Sequence, residues 1–400
     1  MKWIMLVPDG VADEPCPQLN GKTPLEAAHT VNMDYMAQNG LCGLVKTIPD
    51  GLAPGSDVGN LALLGYDPQV NFSGRAPLEA ANMGVILKAD EVAFRCNLVT
   101  VIDGKMADYS AGHIDSEEAR NLIEDLQRAI DWPDVRFYPG KSYRHLMVIK
   151  SLNVPKLAAI KTVAPHDIPG QPIAGHLPSG PQSEILLTLM EKSGKILGRH
   201  PINHAREGLG DKPANQVWLW GQGQKPDLPS FKERWHLTGA VISAVDLVNG
   251  IGRLAGLKVV TVPGANGYYD TNYKGKAEYA LEALKDHDLV YVHVEAADEA
   301  GHNGDLKMKM ESIERFDRDL VGTILNRYGK NDDARILVTP DHPTPVAKRT
   351  HTSSPVPFVM FGRGIKPNGA VQYGETAAAK NGLKFQSGEE MMRYFLKIGN

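Results

Sequence analysis

Short apolar runs closed by turn residues alternate with helix-period segments along most of the chain. KWIMLVP (2–8), followed by Asp-Gly, reads as a buried strand ending in a turn. LCGLVKTI (41–48), LKVVTVPG (257–264), DLVYVHVEA (288–296), ARILVTPDH (334–342) and VPFVMFG (356–362) follow the same pattern. Between them lie segments with apolar residues three and four apart. TPLEAAHTVNMDYMAQNG (23–40) predicts one helix with Thr23 as N-cap, Pro24 in the first turn and Gly40 as stop. GSDVGNLALLGYDP (55–68) predicts a helix capped by Ser56 or Asp57, and TGAVISAVDLVNGIG (238–252) and KGKAEYALEAL (274–284) predict two more. Strands alternating with helices give an α/β fold with a mostly parallel sheet and helices on both faces.

A self-contained α+β block interrupts this alternation. Residues 111–173 hold the amphipathic helix SEEARNLIEDLQRAI, a strand pair (VRFYPG, RHLMVIK) and a Pro/Gly-rich closure, APHDIPGQPIAGHLPSGP, that reads as an exit linker. The expected division is a core of 1–110 and 174–400 with a smaller inserted domain of 111–173. QVWLWG (216–221) is assigned to the core.

Composition narrows the function. The 400 residues carry 43 Lys+Arg and 47 Asp+Glu, a net charge of −4, so no basic footprint for nucleic acid exists. No run approaches the roughly 18 apolar residues of a membrane span. Cys16, Cys42 and Cys96 are odd in number and share no CxxC spacing, which argues against a disulfide framework and fits a cytoplasmic setting. GIGRLA (250–255) follows a helical pattern instead of a strand, so it is no dinucleotide fingerprint. Gly21–Thr23 lacks the first P-loop glycine.

The chemistry gathers at predicted strand ends. Asp9 follows the first strand, Asp298 and His302 follow LVYVHVEAA, Asp341 and His342 follow RILVTP, and His351 lies a short loop later. Carboxyl ends of strands in α/β sheets converge on one crevice. Asp298 and His302 are four apart, on one side of a helical turn. Alone, each is an ordinary cap or surface histidine; six together form the oxygen and imidazole mixture that binds a pair of Mn²⁺, Mg²⁺ or Zn²⁺ ions. Ser56, by itself an N-cap, becomes a candidate nucleophile toward phosphorus beside such ions.

In this order the residues resemble the signature of the alkaline phosphatase superfamily. More closely, VPDGVADEP, PGSDVGNLALLGYDP, SGRAPLEAA, HVEAADEAGHNGD and TPDHPTP resemble the cofactor-independent phosphoglycerate mutases of the shorter, archaeal-type branch, over nearly the whole chain. The resemblance implies an alkaline-phosphatase-like core with an inserted capping domain that keeps water from a phosphoserine. It implies that Asp9, Ser56, Asp341 and His342 hold one ion and Asp298, His302 and His351 the other. It implies a glycolytic isomerase in which Ser56 takes the phosphoryl group of a phosphoglycerate and returns it to the other hydroxyl, with no bisphosphoglycerate. Lys276, Arg206, Arg144 and His113 are nominated to grip this small phosphorylated substrate, and Asp167 as the base. ADYSAGHID departs from the branch, where arginines are expected. A homoserine-kinase-like phosphotransferase of the same family, using ATP in threonine biosynthesis, is the alternative, because the metal residues handle only the phosphoryl group.

Overall fold

The structure, a computed structural model, describes residues 1–329 and 333–397. The chain divides into two compact units, 1–72 with 227–400 and 73–226. In the first unit the apolar runs become strands β1 (Lys2–Pro8), β2 (Leu41–Val45), β3 (Gly239–Ile242), β4 (Lys258–Val259), β5 (Leu289–Val294), β6 (Ala334–Val338), β7 (Val356–Gly362) and β8 (Lys384–Phe385). Their spatial order is β8-β2-β7-β6-β1-β5-β3-β4. Every pairing is parallel except those of β7 with β6 and β2. The expected mostly parallel α/β sheet is present.

β1 is central, with Leu6 opposite both Val292 of β5 and Val338 of β6. Side chains alternate across the sheet. Ile4, Leu6, Val290 and Val292 pack with Ala277, Ala280, Phe316 and Leu320 of helical segments on one face. The other face meets helix α1 (Ser56–Leu63) and helix Asp246–Leu254. In the latter, a Cβ on Gly252 would lie 2.4 Å from Val241 Cγ1, so the second glycine of GIGRLA serves helix–strand packing. No described helix is long and apolar enough to cross a membrane.

Two local expectations differ. The 23–40 segment forms two helices, Pro24–Ala27 and Val31–Gln38. The second is capped from outside, by Asp317 accepting from the N–H groups of Asn32 (3.1 Å) and Met33 (2.7 Å). Residues 239–242, expected within a helix, form β3, because their apolar run lies alongside β5.

The second unit contains the expected 111–173 block but is wider on both sides. Glu91–Ile102 pairs antiparallel with both Arg144–Lys150 and Gln216–Gln224, so Glu91–Ile102 before the block and Gln216–Gln224 after it belong with it and not with the core. Helices Ser116–Ala129 and Ser183–Leu197 cover the sheet, burying Leu122, Leu126, Leu186 and Met190 against Phe94, Met147 and Trp218. The Pro/Gly-rich stretch is no exit linker. Gly170 donates to Met106 O at 2.7 Å, and Met106 in turn donates to Gln171 O at 3.0 Å, tying the stretch to the unit's own hairpin.

Candidate metal and nucleophile site

Because β1, β5 and β6 are parallel neighbours, their carboxyl ends deliver Asp9, Asp298 and Asp341 to one place. Asp9 donates its N–H to Val294 O at 2.9 Å, which seats it over β5. Gly10 follows at φ +63°, and a Cβ there would lie 2.6 Å from Asp298 Oδ1. Helix α2 (Ala296–Asn303) places His302 one turn after Asp298, with His302 Nε2 3.3 Å from Asp298 Oδ2.

Ser56 is not the cap of α1. Gly55 occupies that position, and Ser56 is the first helical residue. Its hydroxyl is therefore directed into the cluster, 3.1 Å from His342 Nε2 and 3.4 Å from Asp9 Oδ2. Asn60, one turn on, joins helix to ligand loop. Its amide donates to Ser56 O at 2.8 Å and to Asp341 Oδ2 at 2.7 Å. The helix is pressed onto that loop, since a Cβ on Gly59 would lie 2.6 Å from Asp341 O.

The remaining imidazoles complete the centre. His342 Nε2 stands 3.5 Å from both Asp9 Oδ1 and Asp341 Oδ2. His351 Nε2 is 3.5 Å from Asp298 Oδ1 and 2.9 Å from His302 Nε2. His302 Nδ1 contacts Arg349 O at 3.1 Å and His351 Nδ1 contacts Pro54 O at 3.3 Å. A carbonyl only accepts, so each ring carries a proton on Nδ1, which leaves Nε2, turned inward, as the atom that can face a cation. All seven residues nominated for metals and nucleophile are thus brought together.

The electrostatics call for a cation. Asp9, Asp298, Asp341 and His342 are buried. Burial, followed by Asp341 and Asp298, pushes the Asp9 carboxyl well above the usual range. Burial also opposes ionisation of Asp298 and Asp341, but the neighbouring imidazoles hold both low. Asp9 Oδ1 and His293 Nε2 are buried without a hydrogen-bond partner. Among the described residues, two groups have ligand atoms all within 4.8 Å of one another: Asp298, His342 and His351, and Asp9, His293 and Asp341. Three carboxylates and inward lone pairs in a dry site fit divalent cations.

The nominated substrate residues fare differently. Lys276 is wholly buried, with Nζ donating to His293 O at 2.8 Å, and burial lowers its pKa to about 8. It braces β5 from behind and is not a clamp. Arg206 is also buried; it donates to Lys212 O and Ala111 O and pairs with Glu118 at 2.5 Å, so it staples its own unit. His113, Arg144 and Asp167 are exposed in the 73–226 unit. There the His113 and Tyr143 rings lie 6.1 Å apart, the Arg144 guanidinium sits over Tyr143, and His166, beside Asp167, packs against Trp220. Sequence reading missed Arg95, buried over Trp220 at 4.1 Å and bonded to Glu79. It also missed His293 and Asn60; the one signal for His293 was an imidazole inside an otherwise apolar strand.

Fold and cluster together define an α/β protein with a buried carboxylate–imidazole centre at its strand ends and a serine at the mouth of a helix. The family described as 2,3-bisphosphoglycerate-independent phosphoglycerate mutase matches residues 37–203. A mutase of that name from Methanothrix thermoacetophila is 49% identical over 397 residues, covering 99% of this chain and 100% of its own. One from Methanosarcina barkeri is 49% identical over 399 residues, with the same coverage. The solved cofactor-independent phosphoglycerate mutase of Thermoplasma acidophilum superposes with a TM-score of 0.70 at 28% identity, covering 100% of both chains. A Pyrococcus horikoshii protein gives 0.85 at 31% identity, covering 100% of this chain and 98% of the other. The chain belongs to the 2,3-bisphosphoglycerate-independent phosphoglycerate mutase family.

Proposed function

We propose that the protein interconverts 2-phosphoglycerate and 3-phosphoglycerate without bisphosphoglycerate, through a phosphoserine at Ser56 and with two divalent cations. The observation that carries this reading is the Ser56 hydroxyl, released from capping and 3.1 Å from His342 Nε2. Asp9, Ser56, Asp341 and His342 would hold one ion, and Asp298, His302 and His351 the other. Bound divalent ions, of which Mn²⁺ suits this oxygen and imidazole mixture, supply a lowered serine pKa and neutralisation of phosphoryl charge.

The chain's own groups do the rest. Ser56 Oγ gives up its proton and forms the bond to phosphorus as the ester bond to the glycerate oxygen breaks, and that oxygen gains the proton Ser56 has lost. In the second half the other glycerate hydroxyl gives up its proton and attacks phosphorus, and Ser56 leaves. The N–H groups of Ser56 and Asp57 at the start of α1 would lie beside the transferring phosphoryl and favour its negative charge, the Val58 N–H being taken by Asp57 Oδ1. Asn60 keeps α1 and Asp341 in register throughout. We assign the glycerate proton to Asp167 and the grip on substrate to Arg144 and His113; buried Lys276 and Arg206 are withdrawn from that role. The mutases named above are the relatives, and no observation favours the ATP-using alternative.

The test is interconversion of 3-phosphoglycerate and 2-phosphoglycerate with Mn²⁺, in the absence of ATP and bisphosphoglycerate. Turnover there with acid-stable phosphate on Ser56 is the expected result. Phosphohomoserine formed only with ATP, and no mutase activity, would reverse the reading.

A further inference from the structure

We propose that His293 is a direct ligand, through Nε2, of the cation shared by Asp9 and Asp341; this rests on the metal-dependent reading above. His293 is the penultimate residue of the apolar strand β5 and is wholly buried. A polar ring so placed needs partners on both nitrogens. Nδ1 faces Ser243 Oγ at 3.3 Å, whose lone pairs also receive the Val245 N–H at 3.0 Å. Nε2 lies 3.0 Å from Asp9 Oδ2 yet makes no hydrogen bond, and Asp9 Oδ1 is likewise without one. The contact is close enough for a hydrogen bond but misdirected for it.

Two donors bound to one ion at right angles have a different requirement. With metal–ligand lengths of about 2.0–2.2 Å they stand roughly 3 Å apart, neither aimed at the other. That describes His293 Nε2 and Asp9 Oδ2. Asp341 completes the set, with one ligand atom from each residue within 4.8 Å of the others. The tautomer agrees: a proton on Nδ1 directed at Ser243 leaves the Nε2 lone pair for a cation. The main chain that carries the ring is fixed, because Lys276 Nζ holds the His293 carbonyl at 2.8 Å and the strand is paired on both edges, and the buried ring itself is faced by Ser243 on its Nδ1 side. His293 therefore adds an imidazole to the site for which the family resemblance implies Asp9, Ser56, Asp341 and His342.

The experiment uses the full chain labelled with ¹⁵N at histidine, stripped by chelator and reloaded with Zn²⁺ as a diamagnetic probe. A long-range ¹H–¹⁵N spectrum should show His293 protonated on Nδ1 and metal-bound at Nε2, alongside His302, His342 and His351. Its assignment comes from the His293→Gln variant. In calorimetry that variant should lose affinity for one ion beyond the roughly 10–100-fold that removal of an outer hydrogen-bond partner causes, and keep the other. A proton on His293 Nε2 in Zn²⁺-loaded wild type would overturn the proposal while leaving the metal reading intact; that measurement needs no variant to fold. Absence of any Zn²⁺ uptake would take down both.

Discussion

His302 and His351 face each other with their Nε2 atoms 2.9 Å apart, while each Nδ1 is committed to a main-chain carbonyl. Two lone pairs at that distance, next to the Asp298 carboxylate, are held together only by a positive charge between them. A proton can serve, and a divalent ion serves better.

Saturating Mn²⁺ should accordingly stabilise the fold. A hundredfold excess over the dissociation constant contributes about 2.7 kcal/mol, a rise of a few degrees in melting temperature that excess EDTA should reverse. His302→Ala should bind one ion less tightly and show a smaller rise. Melting curves that ignore Mn²⁺ and EDTA alike would refute the metal assignment.

Ser56→Ala removes the nucleophile and leaves the carboxylates and imidazoles in place. Mutase turnover should fall by at least about 10⁴-fold, as removal of a nucleophile does in other covalent enzymes. Both ions should still bind by calorimetry. A variant retaining one-tenth of wild-type turnover would eliminate the covalent step.

Gly59→Ala tests how closely α1 sits on the ligand loop. The new methyl would lie 2.6 Å from Asp341 O and 2.9 Å from Asp341 Cβ, so loop or helix must shift. Overpacking of this kind costs about 1–3 kcal/mol. Activity should fall far more than that stability loss suggests, because Asp341 moves with the loop. Unchanged kcat in a folded variant would show that the approach is immaterial.

His145 gives the 73–226 unit a pH dependence of its own. It is buried, accepts the Gly140 N–H at 3.0 Å, and burial, aided by Arg120, lowers its pKa to about 3. The unfolded chain takes up a proton below about pH 6.5 that the folded ring refuses, so this contribution is whole above that pH and is lost as pH falls toward 3. The loss approaches about 1.4 kcal/mol per pH unit. His145→Gln keeps an acceptor and does not titrate; in urea titrations from pH 7 to 4 it should fall off less steeply than wild type. Parallel slopes would dismiss the assignment.

The sequence made one part of this molecule legible and hid another, for physical reasons. Asp9, Asp298 and Asp341 stood out because each lies within a few residues of the end of an apolar run, and parallel strands carry such residues to a common rim. Partner choice was invisible: Glu91–Ile102 and Gln216–Gln224 read like core strands, yet they pair with each other. The 23–40 helix was split by Asp317, nearly 300 positions away in the chain. Lys276 and Arg206 read as cations free to grip a substrate because nothing local announces a buried main-chain acceptor. His293 was concealed by the apolar strand around it.

The central place of β1 has a consequence for how the protein is made. Its neighbours on both sides, β5 and β6, begin only at residues 289 and 334, after the whole 73–226 unit has been synthesised. The ribosome therefore releases an apolar, unpaired WIMLV segment long before anything exists to cover it, and such edges invite aggregation. The proposed ion site would be complete only once the same late residues have been made, so it would form together with the pairing of β1.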